Sequence, residues 1–431
     1  MSLTKASYSM IQGAPINLLD YGADKTGATN CHDAFVAAIA ATPIGGMLYI
    51  PVGTFKLTQR LTITKAINIV GEGVGSIILI DVGQTEVGIV FGVDTPSVYI
   101  TGCNWKNFAI LGGANSCFVG LLLLQVNTSF FENIHVRVGN PTNGVAVWIR
   151  FAVENYYNFI ISSSITYGVT TGTPYNAVLC TSDLGAGQVC NSNFFNLNII
   201  GATTGLTINT AGITDAGNNV ISGTYIALTA WAIKLQTCKA AVIENCNLED
   251  VGISGSNIIL NTCIYIQIRG TNVYSNVLGF NDVQLQSCYA TYIDGLRCNR
   301  LSIDAGSSNT YLLGVLYQGN TDAGLYNSGT LANEFVVPSW SIKGTTVGGT
   351  LVIQPDFEVD TTASSAQITF GRESGTAGDF TKFLFRDRVG GVIMTFGGQA
   401  LQPYADNAAA IAAGLTVGSL YRIGDTVAIV H

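Results

Sequence analysis

Charged side chains are scarce in this sequence. Asp, Glu, Lys and Arg make up 11% of its 431 residues, whereas an ordinary soluble domain carries roughly 25%. Long amphipathic helices need more Glu, Lys and Arg than this, so the composition argues against a helical protein. The 19 basic residues are fewer than the 27 acidic ones and form no cluster that could follow a phosphate backbone. Nucleic acid is therefore not an expected partner.

Long hydrophobic runs are also missing. The longest, such as residues 119–124, are far shorter than the ~20 residues that span a bilayer, so no membrane partner is expected. The first residues, Met1 to Lys5, do not open the apolar stretch of a secretory signal. We therefore expect a protein that is made in a cytoplasm and released by lysis.

Residues for metal or disulfide chemistry are few or wrongly spaced. There are three histidines, and the ten cysteines include no CxxC pair or Cys/His cluster of the kind that binds zinc. No metal site and no cofactor are predicted. We interpret the cysteines as small, buried, reduced core residues.

What the sequence does contain is a 25-residue repeat. Residues 233–238, 258–263 and 283–288 align without gaps, and each segment ends in a cysteine. Their apolar residues alternate at period two, as in a strand with one buried face. Stacked coils of a parallel β-helix place equivalent side chains in columns ~4.8 Å apart, whereas a propeller repeat needs ~40–45 residues. The predicted fold is all-β, a right-handed parallel β-helix.

A looser repeat of Asn followed by an apolar residue runs upstream, with gaps of 26, 25, 38, 23 and 26 residues. Its members are Asn107, Asn133, Asn158, Asn196, Asn219 and Asn245. Asn suits a turn because it tolerates left-handed backbone. We expect these residues to share one turn column, with an insertion near residues 181–191 that accounts for the gap of 38.

The residues before the repeats predict a cap over the open end of the solenoid. Asp33 is expected to N-cap a short helix from Ala34 to about Thr42, and such a helix covers backbone that would otherwise recruit other chains. Several motifs here together resemble the pectate-lyase-like superfamily, in its phage tail-spike branch. They are Asp20-Tyr-Gly-Ala-Asp24, Thr26-Gly27, Tyr49-Ile-Pro51, Gly53-Thr-Phe55 and Gly71-Glu-Gly73.

Residues 6–13 and 412–422 are similar to terminal segments of phage structural proteins. The resemblance implies a homotrimeric virion tail protein, made in the host cytoplasm. Its implied partners are host surface polysaccharide and other tail or baseplate proteins.

The far end of the chain follows other patterns. The 25-residue spacing stops near Gly319, alternation resumes near residues 368–386, and Asp406 and Gly414 are placed to cap a helix. The predicted domains are a leader and cap (1–60), the parallel β-helix (61–320), a linker (321–350), a small β-sandwich-like domain (351–400) and a helix with a hairpin (401–431).

Catalysis would depend on carboxylates, which glycoside hydrolases use in pairs. The 25-residue register predicts that Glu244, Arg269 and Asp294 stack on successive coils. Two carboxylates would then lie about two rungs apart with a guanidinium between them. Such a column could supply an acid, a base and a substrate clamp, or it could be a surface ion-pair ladder.

Glu249 and Asp250 are the other predicted catalytic pair, at a turn after a strand. The register places Tyr274 beside them on the next coil, where it could stack on a sugar. The structural alternative is a carboxylate that holds its own turn. Further candidates for substrate binding are Glu154 and Tyr157, with Glu132 and His135 as a last choice; His135 would be a solvated histidine or a proton shuttle.

Two functions stay open on this evidence. One is a tail-spike depolymerase that hydrolyses capsule, O-antigen or slime polysaccharide. The other is a non-enzymatic spike or fibre that binds glycan or builds the particle. The calcium ligands and arginine base of pectate lyases are not evident, so hydrolysis is expected rather than lyase chemistry.

Overall fold

The computed structural model divides the chain into two compact units, Met1–Pro355 and Asp356–His431. The residues that the structure describes are 13–430 without 95–97, 114–116, 139–143, 163–175, 183–189, 210–216, 250–256, 275–280, 318–323, 328–330, 337–341, 344–382, 387–391, 397–403, 417–419 and 424–425.

The first unit begins with a cap. Its elements are β1 (Ile16–Asn17), a 3-10 helix (Leu18–Tyr21), β2 (Thr26–Asn30), α1 (His32–Ala41), β3 (Met47–Ile50) and β4 (Gly53–Leu57). Helix α1 buries Phe35 and Ala38 in the core. Its last carbonyls accept hydrogen bonds from the ammonium group of Lys65, which also suits the negative end of the helix dipole.

The start of α1 differs from the prediction. The N-cap residue is Cys31, and Asp33 lies inside the first turn, where its carboxylate contacts the ring of His32. The reason is that β2 stays paired with β4 up to Asn30, so the Asn30 side chain accepts the backbone N–H of His32 at 3.2 Å. Asp33 therefore does not cap the helix.

The coils of the solenoid follow the cap. Their strands are β5 (Leu61–Ile63), β6 (Asn68–Gly71), β7 (Ser76–Ile80), β8 (Val87–Gly92), β9 (Ile100–Thr101), β10 (Asn104–Gly112), β11 (Val119–Leu124), β12 (Val126–Asn127), β13 (Phe130–Arg137), β14 (Val145–Arg150), β15 (Tyr156–Ser162), β16 (Asn176–Thr181), β17 (Phe194–Phe195), β18 (Asn198–Ile200), β19 (Thr204–Asn209), β20 (Val220–Ser222), β21 (Tyr225–Ala227), β22 (Trp231–Gln236), β23 (Val242–Glu244), β24 (Asn247–Glu249), β25 (Ile258–Asn261), β26 (Gln267–Arg269), β27 (Asn272–Tyr274), β28 (Val283–Gln286), β29 (Tyr292–Asp294), β30 (Arg297–Cys298), β31 (Arg300–Ile303), β32 (Thr310–Leu313), β33 (Leu316–Tyr317), β34 (Gly324–Asn327), β35 (Leu331–Val336) and β36 (Ile342–Lys343).

These strands form two long sheets whose neighbours pair in parallel. Within the described residues, one sheet has twelve strands in the order β5-β8-β11-β14-β16-β19-β22-β25-β28-β31-β34-β36. The other sheet collects most of the remaining strands, so that β23 and β24 pair with β26 and β27 of the next coil. Strands β9 and β12 pair with each other in a small parallel sheet. The fold is a right-handed parallel β-helix, as predicted.

The coils turn at residues with left-handed backbone, and in the coils of equal length these residues recur every 25 positions. Three corners are formed by Thr237, Thr262 and Ser287, by Ala240, Tyr265 and Ala290, and by Asn245, Gly270 and Gly295, all with φ between +51° and +63°. Between corners the side chains alternate, and the inward ones fill a single core. The repeat in the sequence is therefore the repeat of the corners.

The predicted cysteine column is confirmed. Strands β22, β25 and β28 pair in register, and Cys263 and Cys288 direct their thiols to carbonyls of the preceding coil at 3.4 and 3.3 Å. All ten cysteines are free and buried. Burial raises the pKa of the Cys117 thiol to about 11, so this thiol stays protonated at neutral pH.

The asparagines form two ladders rather than the one predicted. The outer ladder links Asn107 to Asn133 and Asn158 to Asn196 through their side chains, and the Asn158 side chain accepts the backbone N–H of Asn133. Asn219 belongs to an inner ladder with Asn155 and Asn193. Because β17 pairs Phe194 with Val220, the rung-mate of Asn219 is Asn193, and the 23-residue gap in the sequence marked a change of column.

Parallel pairing continues beyond the predicted end of the solenoid. Val283, Leu301, Leu325 and Ile342 are successive register partners, which places three strands of the solenoid in the stretch predicted as a linker. The coils here are unequal, with partners 18, 24 and 17 residues apart. Unequal coils give no sequence period, so the repeat ended before the fold did.

The second unit is described in part. Its elements are an antiparallel hairpin of β37 (Phe383–Arg386) and β38 (Val392–Phe396), helix α2 (Asn407–Ala412), and a hairpin of β39 (Leu420–Ile423) and β40 (Thr426–Ile429). Asp406 caps α2 as predicted, since its carboxylate accepts the N–H of Ala409 at 2.8 Å. Among the described helices, none is long and apolar enough to cross a membrane.

Candidate functional site

The predicted charged column exists on the outer face of β23, β26 and β29. Glu244 is the register partner of Arg269, and Arg269 of Asp294. The residues before them, Ile243, Ile268 and Ile293, are fully buried, and alternation turns the three charged side chains outward. With rungs ~4.8 Å apart, the two carboxyl-bearing backbones lie about 10 Å from each other.

The charged column is not locked into ion pairs. The two pairs within 4.0 Å in the described part of the chain are His32 with Asp33 and Lys56 with Asp81. Arg269 is exposed, and Glu244 and Asp294 are half-buried. The three groups are therefore available to hydrogen-bond a ligand laid across the face.

Glu249 is held by its neighbours on β21 and β24. One carboxylate oxygen accepts the hydroxyl of Tyr225 at 3.2 Å, and the other accepts the side-chain amide of Asn247. Asn272 on the next coil donates in turn to Asn247 at 2.9 Å. Tyr274 is the register partner of Glu249 and is 45% exposed. Both oxygens of Glu249 are engaged, which favours a positioning role for this carboxylate.

The remaining predicted residues are dispersed. Asp250 lies outside the described residues. Glu154 is exposed at a corner with φ +59°, on a coil three rungs before the charged column, so the two are not brought together. Glu132 is the register partner of Asn158. His135 is half-buried on β13, and burial lowers its pKa, so its ring is neutral at pH 7.

The prediction that Tyr157 binds substrate is wrong. Tyr157 is fully buried, and its ring stacks on Phe131 and Phe195 with centroids 5.4 and 5.2 Å apart. The cause is the period of two along β15, which turns Tyr156 outward and Tyr157 into the core. An error of one position changes the face on which a strand residue lies.

A groove that the sequence did not suggest lies on the outer face of the twelve-stranded sheet. Its volume is about 470 Å³, and its lining includes Arg60, Thr62, Val90, Asp94, Leu122 and Arg150. The guanidinium of Arg150 lies 5.5 Å from the ring of Trp148 and 4.9 Å from that of Phe151. These residues come from unequal early coils, where no repeat aligns them.

No metal cluster is present in the described part of the chain, where no three His, Cys, Asp or Glu side chains converge.

Comparison with known proteins identifies the family. The protein family described as "Rhamnogalacturonase A/epimerase, pectate lyase-like" matches residues 15–247 of the 431-residue chain. The chain belongs to this pectate-lyase-like family. The match ends within β24, so Arg269, Tyr274 and Asp294 lie on coils beyond it. No curated protein matches the sequence.

Solved structures similar to this pectate-lyase-like chain include viral and bacterial β-helices. The ORF18 protein of Geobacillus virus E2 is 15% identical, with 70% of this chain and 59% of that chain covered and a TM-score of 0.37. The A-module of mannuronan C-5 epimerase AlgE6 from Azotobacter vinelandii is 14% identical, with 78% and 95% covered and a TM-score of 0.49. The tailspike of E. coli bacteriophage HK620, solved with a pentasaccharide, is 12% identical, with 74% and 67% covered and a TM-score of 0.47.

Proposed function

We propose that this pectate-lyase-like chain is a virion tail spike that binds host surface polysaccharide and hydrolyses it with Glu244 and Asp294. The observation that carries the proposal is the charged column, in which two outward carboxylates flank an exposed guanidinium. The virion setting follows from the terminal and cap motifs in the sequence, which resemble those of tail spikes. Synthesis in the host cytoplasm belongs to the same proposal.

The spacing of the column suits an inverting hydrolase. Inverting enzymes hold their two carboxyl groups ~6.5–9.5 Å apart so that a water molecule fits beside the sugar. Backbones two rungs apart, about 10 Å, allow side chains to reach that range. One carboxylic acid would protonate the leaving oxygen, the other carboxylate would take a proton from the attacking water, and Arg269 would bind the sugar between them.

A stripe of outward aromatic side chains supports a second copy of this chain as a partner. Phe130, Tyr156 and Phe194 are outward register partners on consecutive coils, with ring centroids 6.3 and 5.4 Å apart. Such a stripe runs parallel to the solenoid axis. In a parallel homotrimer each rung would meet its equivalent at the same height, so that aromatic contacts aromatic.

The catalytic proposal is tested with isosteric variants. Purified protein is incubated with capsular, O-antigen and slime polysaccharides, and new reducing ends are measured. Glu244→Gln and Asp294→Asn should each lower the rate by at least about 100-fold, since each removes a proton-transfer group. Glu86→Gln, at an exposed carboxylate on an early coil, is the matched control and should keep full activity. Proton NMR should find the new anomeric centre inverted.

A binding spike without hydrolysis is the second candidate. The engagement of both Glu249 oxygens by Tyr225 and Asn247 favours it, because one of the two predicted acidic sites is then structural. Wild-type protein that binds a polysaccharide and releases no reducing ends would establish this candidate. Full activity of either column variant would reject the assignment of Glu244 and Asp294.

A further inference from the structure

Two exposed tyrosines meet at one corner of the solenoid. Tyr265 is 50% exposed and Tyr289 is 44% exposed. Their rings make an edge-to-face contact, with centroids 6.0 Å apart and an angle of 74° between the ring planes. They come from successive coils, and each precedes a strand of the charged column. Tyr265 leads into β26 with Arg269, and Tyr289 leads into β29 with Asp294.

The backbone at this corner does not require an aromatic residue. Tyr265 has φ +59°, and the equivalent residues one coil before and one coil after are Ala240 at +54° and Ala290 at +53°. A bulky residue with left-handed backbone is uncommon. Since alanine is sufficient for the corner on both neighbouring coils, the backbone does not account for the tyrosine ring.

The tyrosine pair is continuous with the charged column. Gln267 and Tyr292 are register partners at the outward position between corner and column. A strand rises ~3.3 Å per residue, so the backbones of Tyr265 and Arg269 are at most about 13 Å apart. Along one strand direction the surface therefore presents aromatic rings, then an amide and a phenol, and then a guanidinium and a carboxylate.

We propose that Tyr265 and Tyr289 form a sugar-stacking subsite, and that a polysaccharide chain lies along β26 and β29 from this subsite to the charged column. The inference rests on the proposed function and adds the direction of the glycan and its second anchor. The tyrosine rings contact the apolar faces of sugar rings. Gln267 and Arg269 donate hydrogen bonds to hydroxyl groups of the same glycan. The glycan thus lies perpendicular to the solenoid axis.

The residue types that the test variants introduce already occur at the equivalent positions of neighbouring coils. Tyr265→Ala reproduces Ala240 and Ala290, and Tyr289→Ser reproduces Ser308, the next residue in its bridge column. Both variants should therefore fold like the parent, which is checked by thermal unfolding. Tyr99→Ala is the matched control, because Tyr99 is 43% exposed and lies on an early coil.

The probe is a printed array of purified bacterial capsular and O-antigen polysaccharides, and its strongest binder is then titrated by calorimetry. Tyr265→Ala and Tyr289→Ser should each weaken binding about five- to tenfold, while Tyr99→Ala should not. Unchanged affinity in both variants would overturn the subsite and leave the proposed function standing. A parent that binds no polysaccharide on the array would reject both. Sedimentation is measured in parallel, and a loss of assembly in the variants would reject the subsite in favour of contact between chains.

Discussion

At the scale of single residues, Asp282 is a carboxylate inside the solenoid wall. It is 1% exposed and accepts hydrogen bonds from the backbone N–H groups of Asn299 and Arg300 and from the side chain of Asn257. Burial nevertheless dominates and raises the pKa of Asp282 to about 6. Asp282 directly precedes β28, which belongs to the twelve-stranded sheet.

The sign of the resulting pH dependence follows from proton binding. Between pH 4 and 6 the folded protein holds a proton on Asp282 that the unfolded chain has lost, so the free energy of unfolding falls as pH rises through this window. A pKa raised by about two units corresponds to roughly 3 kcal/mol. Asp282→Asn should remove this slope, as measured by denaturant unfolding from pH 4.5 to 7.5. An unchanged slope in Asp282→Asn, or its loss in the exposed control Asp94→Asn, would contradict the assignment.

At the scale of elements, the inner asparagine ladder joins consecutive coils at the residues just before β15, β17 and β20. Asn193 accepts the backbone and side-chain N–H groups of Asn155, both at 3.2 Å, and donates to the carbonyl of Ala152 at 2.8 Å. All of these groups are buried. Each amide therefore satisfies polar backbone that water does not reach.

Removal of one rung of this ladder should destabilise the solenoid measurably. Asn193→Ala leaves the buried backbone N–H of Asn155 without its partner, while the Ala152 carbonyl keeps only the N–H of Asn191. Because an unsatisfied buried group costs ~1–3 kcal/mol, we expect the free energy of unfolding to fall by about 1–3 kcal/mol in urea titrations. Asn198→Ala, at an exposed position on the same coil, should change it by less than about 0.5 kcal/mol. Equal effects of the two variants would show that the ladder adds nothing.

The elements that sequence reasoning located are those on coils of equal length. Cys238, Cys263 and Cys288, and likewise Glu244, Arg269 and Asp294, could be assigned to columns because two successive coils both take 25 residues. Where the coils vary in length, the period disappears, so the strands beyond residue 320 lie in the stretch that the sequence predicts to be a linker. The prediction for Tyr157 is wrong for a different reason, because successive residues of a strand face opposite sides of the sheet. The tyrosine corner carried no signal, because left-handed backbone at Tyr265 is a property of the fold.

At the scale of the whole molecule, the aromatic stripe predicts the mass in solution. Sedimentation should give three times the chain mass of 45.3 kDa. Phe130→Glu places a charge in the stripe, at a residue that is 50% exposed in the single chain, and should shift the mass toward one chain. Ile44→Glu, at an exposed apolar residue after α1, should leave the mass unchanged. A parent that sediments as one chain would contradict the homotrimer.

Coils of equal length whose corners and inward positions fall in the same register make the solenoid modular. Removing the 25 residues from one corner to its equivalent on the next coil would join left-handed backbone to left-handed backbone and inward side chain to inward side chain. The length of the shaft and the chemistry of its surface can therefore be altered separately. Related proteins could gain or lose whole coils and substitute the outward residues of each coil, while the inward positions that hold the coils together are kept.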